Sequence, residues 1–191
     1  MTPSEVINAI GGIPFINISF DGSKLLTLAA VVRSNADNKK RKLSQYFNPT
    51  IAYEVYQDKS VEMPKPLPHR ALYNGEILAL SHAKKRIIET IPEWRELLAI
   101  PLIVKKLSTN QPSSSNPKIP QTIYLGESVF STEIVLEETY IHELSHVWCS
   151  LLTEIYDFQK PCCPSIYSLP SGTSGKDIRG ILLAAYFPRP L

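Results

Sequence analysis

His142, Glu143 and His146 stand in the order H-E-x-x-H within Thr139-Tyr140-Ile141-His142-Glu143-Leu144-Ser145-His146-Val147-Trp148. On a helix, residues four apart are separated by just over one turn and about 6 Å of rise, so both imidazoles project from one face. Two imidazoles so placed hold one divalent metal, and Glu143 beside them can handle the proton of a bound water. The pattern means this only on a helix, and the flanking sequence supplies one. No Gly or Pro occurs from Thr132 to Tyr156, and Ile134, Ile141, Leu144, Trp148, Leu151 and Ile155 recur at three-, four- and seven-residue steps. Ser131 or Thr132 suits the N-cap, and Glu133, Glu137 and Glu138 put negative charge in the early turns, where the helix dipole favours it. The competing reading is a surface helix with two ordinary histidines. With only four His in 191 residues and the helical context present, a metal site is the better reading.

A metal on two His needs at least one more protein ligand. No His follows His146, which excludes H-E-x-x-H-x-x-G-x-x-H. The oxygen candidates are Glu154, Asp157 and Asp177. Glu154 lies eight residues beyond His146, about 12 Å along the same helix, too far to close on the same ion. Asp157 is further still unless the chain turns back after Phe158. Asp177 comes from a separate segment that can fold back over the site, and it is the preferred third ligand. Cys149 follows His146 by three residues and could face the site, but its ordinary role is that of a small buried hydrophobe.

The remaining elements must position this helix. Residues 4–10 suggest a short helix, broken at Gly11-Gly12. The alternation Ile16, Ile18, Phe20 then predicts a half-buried strand. Lys24 to Arg33 predicts a buried helix. Lys39-Lys40-Arg41-Lys42 reads as a solvated helix face. Residues 46–70 alternate weakly into the Pro-rich turn at 63–68, with His69 exposed and without a partner at ligand spacing. Ala71 to Ile91 predicts an amphipathic helix carrying His82 on its face, and Glu93 to Leu107 continues as helix, interrupted at Pro101. Residues 108–117 form a polar loop, either a lid or a connector. Thr122 to Leu125 is a short strand ended by Gly126, directly before the H-E-x-x-H helix, an order that also lines the cleft of zinc proteases. Residues 160–174 read as irregular, and Asp177 to Tyr186 as the start of another apolar helix. No internal repeat is visible. The expected class is α+β, mostly helical, with a zincin-like helix next to a short strand or small sheet.

Composition sets the outer bounds. The chain is long enough for one domain with a real core, residues 1–70 carrying no recognised motif and 71–191 forming the helical metal-site part. Hydrophobic residues at 43% and charged residues at 20% fit a soluble globular protein, and a net charge of +2 argues against a dedicated nucleic-acid or membrane surface. Met1 to Glu5 lacks the pattern of a signal peptide, and no apolar run would span a bilayer, so a cytoplasmic location is expected. Three Cys, at 149, 162 and 163, make an odd set in which free thiols are expected rather than a disulfide framework.

Ile91-Pro92-Glu93-Trp94, the Ser-rich loop at 113–115, Ile123-Tyr124-Leu125, the stretch from Glu138 to His146 and the tail from Asp177 to Tyr186 come in an order that resembles the HEXXH-motif proteins of bacterial peptide natural-product clusters. The resemblance covers roughly residues 85–186, and the HExxH stretch is its specific part. It implies modification of a ribosomally made precursor peptide, in some members by Fe(II)- and 2-oxoglutarate-dependent β-hydroxylation. Such proteins tend to carry a His in a G-x-L-H-x-x-Y tail that completes the metal site, and Leu183 stands at that position here. The chain is then a truncated or degenerate copy, or one that recruits Asp177.

Three functions compete. The first is an Fe(II)/2-oxoglutarate peptide hydroxylase, with iron on His142 and His146 and with Arg179 pairing the co-substrate carboxylate. The second is a zinc metallopeptidase with Glu143 as general base. The third is a degenerate, non-enzymatic peptide-binding homologue.

Overall fold

The computed structural model describes residues 2–59, 64, 67–157, 163–169, 172, 174–177 and 181. Helices α1 (Pro3–Ala9), α2 (Gly22–Ala36), α3 (Pro49–Lys59), α4 (Asn74–Thr90), α5 (Arg95–Leu98) and α6 (Glu133–Ile155) surround strands β1 (His69–Arg70), β2 (Ile103–Leu107), β3 (Ser114–Asn116) and β4 (Ile119–Leu125). The architecture is α+β, with one small mixed sheet of order β1-β2-β4-β3 among the described residues. β2 and β4 run parallel at its centre, and β1 and β3 flank them antiparallel.

The sheet explains how α6 is held. Along β4, Ile123 and Leu125 enter the main core with Leu136, Tyr140, Leu144, Val147, Trp148 and Leu151 of α6. α2 contributes Leu25 and Ala29 to that core, and α4 contributes Leu80, Ala83 and Ile87. Alternation sends Tyr124 of β4 to the other face, where α3 packs on the strand. No helix of the described residues is long and apolar enough to cross a membrane.

Several local expectations give way to tertiary context. Residues 12–20 form turns, not a strand. Gly11 and Gly12 have φ of 78° and 117°, Phe15 has φ of 62°, and the Asn17 side chain accepts the Ile13 N–H at 2.8 Å. Consequently Phe15 and Phe20 are the residues that turn inward, edge-on to Trp94 at 5.0 Å and Trp148 at 5.5 Å. Ile16 and Ile18 are left 62% and 89% exposed. The segment beyond Pro101 is strand β2 instead of helix, because Pro101 ends the helix and the β-branched Ile103 and Val104 fit a strand paired with β4. Within the polar loop, Ser114 to Asn116 pair with β4 as β3.

The basic cluster is not on a helix. Arg41 binds Glu54 at 2.5 Å and Asp37 at 3.5 Å, and Lys39 meets Glu54 at 3.6 Å, so acids of α3 and the end of α2 offset these two members of the cluster. The weakly alternating Ile51, Tyr53 and Val55 lie on helix α3. His69 is half-buried, with Nδ1 donating to Leu67 O at 2.6 Å and Nε2 accepting from Lys105 Nζ at 2.9 Å. Strand pairing of β1 with β2 brings Lys105 there, a contact no local pattern announces.

Candidate metal centre

Thr132 is the N-cap of α6, its hydroxyl accepting the Val135 N–H at 3.2 Å, and the helix then runs unbroken for 23 residues. Trp148 anchors it. The indole N–H donates to Leu97 O at 3.2 Å, and the ring lies so close to α2 that a Cβ on Gly22 would come within 2.8 Å of it. Gly22 permits that approach. With Leu144, Val147 and Leu151 committed to the core, His142 and His146 emerge together on another face.

The two rings stand with centroids 4.5 Å apart and planes tilted by 45°. The His146 Nε2 is buried with no hydrogen-bond partner among the described residues. Burial, then the neighbouring His142 and Lys176 charges, bring the His146 imidazole down to a pKa of about 4. It is therefore neutral at physiological pH, the form that ligates metals. Cys149 behaves as expected of an inert thiol, half-buried and pushed up to about 12 by desolvation.

Glu143 is only 4% exposed. It recurs at helical steps with Val147 and Glu154, and Glu154 meets Arg33 of α2 with two hydrogen bonds of 2.7 Å. That ion pair fixes the role of Glu154, which the sequence had already set aside as a ligand. Among the described residues, no group of three His, Cys, Asp or Glu side chains is placed to hold a metal ion. Asp177 does not stand with the two imidazoles in a formed three-ligand set, although its chain neighbour Lys176 is close enough for its charge to act on His146. Arg179 and Leu183 lie outside the described residues, as does all of the expected tail helix beyond Asp177 except Ile181.

Lys176 is the residue that sequence reasoning missed. Nothing in its local pattern marks it, and only its position beside Asp177 connects it with the site. His82 lies exposed on α4, as expected. A shallow surface depression of about 360 Å³ between α4 and the start of α6 is lined by Arg86, Glu89 and Glu137 among others. Arg86 fills its charge balance by pairing with Glu133 and Glu137, so it reads as a solvated ion-pair network. Comparison with protein-family models, curated proteins and solved structures finds no match.

The buried imidazole makes metal-free stability pH-dependent. An unfolded chain titrates His146 near 6.5, whereas the folded chain resists the proton down to about 4. Stability from this residue is therefore complete above about pH 6.5 and is lost as pH falls toward 4, by about 3 kcal/mol in all. Urea unfolding across that range, in chelator, should show the slope in the parent chain and a much flatter one in His146→Gln. Equal slopes would contradict the burial of the ring.

Proposed function

We propose that this chain is a metal-dependent peptide-modifying enzyme, acting as an Fe(II)- and 2-oxoglutarate-dependent hydroxylase on a ribosomally made precursor peptide. The supporting observation is the adjacent His142–His146 pair, in which His146 is neutral at physiological pH and its buried Nε2 has no partner among the described residues. An unpartnered buried polar atom costs about 1–3 kcal/mol, and a metal ligand bond removes that cost. Two imidazoles fit Fe(II) as a partial donor set that leaves positions for small ligands. Bound there with 2-oxoglutarate and oxygen, iron supplies the oxidising chemistry that turns a C–H bond into C–OH. The chain's own contribution is to hold both imidazoles on a capped, core-anchored helix and, by burial, to keep His146 deprotonated. α6 lies across β4 and β3, which suits a zincin-like placement of the metal helix beside a sheet.

The choice of hydroxylation over peptide hydrolysis rests on the sequence resemblance. A zinc peptidase needs a general base that reaches the metal-bound water. Here Glu143, only 4% exposed and next in the chain to His142, would be that base. The precursor-peptide substrate rests on the sequence resemblance. Iron-loaded protein given 2-oxoglutarate and oxygen should release succinate at least tenfold faster with a precursor peptide than without one, and the zinc form should cleave nothing. Peptide hydrolysis by the zinc form that disappears in Glu143→Gln would replace this reading with the peptidase. Peptide binding without turnover in either form would make the chain a non-enzymatic homologue.

A further inference from the structure

Where α4 packs on α6, a cation stands without an anion. Leu80, Ala83 and Ile87 of α4 turn into the core, and Lys84 lies half-buried at the edge of that stripe. The charged groups around it are already matched. Lys85 pairs with Glu89, and Arg86 takes both Glu133 and Glu137 of α6. Among the described residues Lys84 makes no ion pair, and its Nζ stands instead over the ring of Tyr140 of α6, 5.1 Å from the centroid. A ring face attracts an ammonium group weakly, whereas loss of water disfavours the charge more strongly. Burial accordingly pushes the Lys84 ammonium below the usual lysine range. An amine held this way keeps more of its nitrogen lone pair free for attack than an exposed lysine does.

The ring beneath the amine carries a second group without a partner. Tyr140 is wholly buried, and its Oη makes no hydrogen bond among the described residues. Such a hydroxyl is costly, so a ligand that brings it an acceptor is favoured there. Amine and hydroxyl together suit a group with an electrophilic carbon and an acceptor oxygen, which is a carbonyl. We infer that Lys84 and Tyr140 form a carbonyl-binding site, in which the amine condenses with a small aldehyde whose oxygen the phenol holds. The Lys84 nitrogen gives its lone pair to the carbonyl carbon, and the C=O π pair moves to the oxygen, to which the Tyr140 hydroxyl donates. Two protons pass from nitrogen to that oxygen, the C–O bond breaks, and water leaves as the C=N bond forms, with no net oxidation or reduction. Two residues apart on a helix, Tyr140 and His142 leave α6 on nearly opposite sides, so this site is separate from the histidine pair.

The test is alkylation of the full chain by propanal with a borohydride, which fixes each imine as a stable amine, followed by peptide mapping in the mass spectrometer. Lys85, exposed on α4 and paired with Glu89, is the internal standard. At about pH 7 Lys84 should be alkylated roughly fivefold faster than Lys85. That advantage should vanish near pH 10.5, the ordinary lysine value, where an exposed amine is itself largely neutral. Tyr140→Phe keeps the ring and removes the hydroxyl, and should slow Lys84 severalfold while leaving Lys85 unchanged. Lys84→Met removes an unpaired ammonium, so its Tm should equal or exceed that of the parent. Lys84 alkylated no faster than Lys85 at about pH 7 overturns the inference, as does an unaltered Lys84 rate in Tyr140→Phe. A clearly lower Tm in Lys84→Met overturns it too, because the ammonium is then satisfied where it stands.

Discussion

His142→Ala and His146→Ala should each abolish stoichiometric metal binding. The proposed centre draws its nitrogen ligands from this pair, and a single imidazole left on a helix holds a divalent ion too weakly to survive dialysis. Neither change touches the core contacts of Leu144, Trp148 or Leu151, so both variants should fold, which circular dichroism can verify. Two other histidines serve as controls. His82→Ala should retain full metal content, since that side chain is exposed on α4. His69→Ala should also retain it while losing about 1 kcal/mol of stability, because its bonds to Leu67 and Lys105 lie elsewhere. Metal per chain, measured by elemental analysis after dialysis, decides the matter. A His142→Ala protein that still carries one equivalent would sink the assignment.

How much of this was legible in the sequence depends on how local the determining physics is. Helix α6 was legible, because capping at Thr132, the absence of Gly and Pro and the apolar periodicity all lie within it. Strand β4 and helices α2 and α4 were legible for the same reason. β2 was not, since Ile103 to Leu107 continue an apolar run that fits either state, and only pairing with β4 decides between them. The Ile16–Ile18–Phe20 alternation misled because Trp94 and Trp148, distant in sequence, draw in Phe15 and Phe20 instead. At the site, the spacing of His142 and His146 is a property of one helix and could be read directly. The effect of the Lys176 charge on His146 joins residues far apart in the chain, and the burial of Glu143 depends on how the helix is rolled. Neither leaves a local signal.

The buried ion pair between α2 and α6 is the remaining large effect. Glu154 and Arg33 have side chains only 6% and 1% exposed, and two 2.7 Å hydrogen bonds join them. Arg33 Nη1 also donates to Tyr46 O at 2.9 Å and to Gln121 Oε1 at 2.7 Å, so one guanidinium ties α2 to β4 and to the end of α6. Gln121 in turn donates to Pro101 O at 2.7 Å and adopts φ of 51°, an uncommon conformation for a non-glycine residue that these bonds hold in place. Glu154→Ala leaves the guanidinium buried without its counter-charge, and should therefore cost about 3–5 kcal/mol, lowering Tm by roughly 10 °C or more. Replacing both partners, as in Arg33→Met with Glu154→Leu, removes the stranded charge and should recover most of that loss, though Tyr46 O and Gln121 lose a donor. Chemical unfolding of the two single variants and the double variant measures the coupling. A loss below about 1 kcal/mol in Glu154→Ala would mean that water reaches Arg33, and that α6 is fixed to the sheet by apolar packing alone.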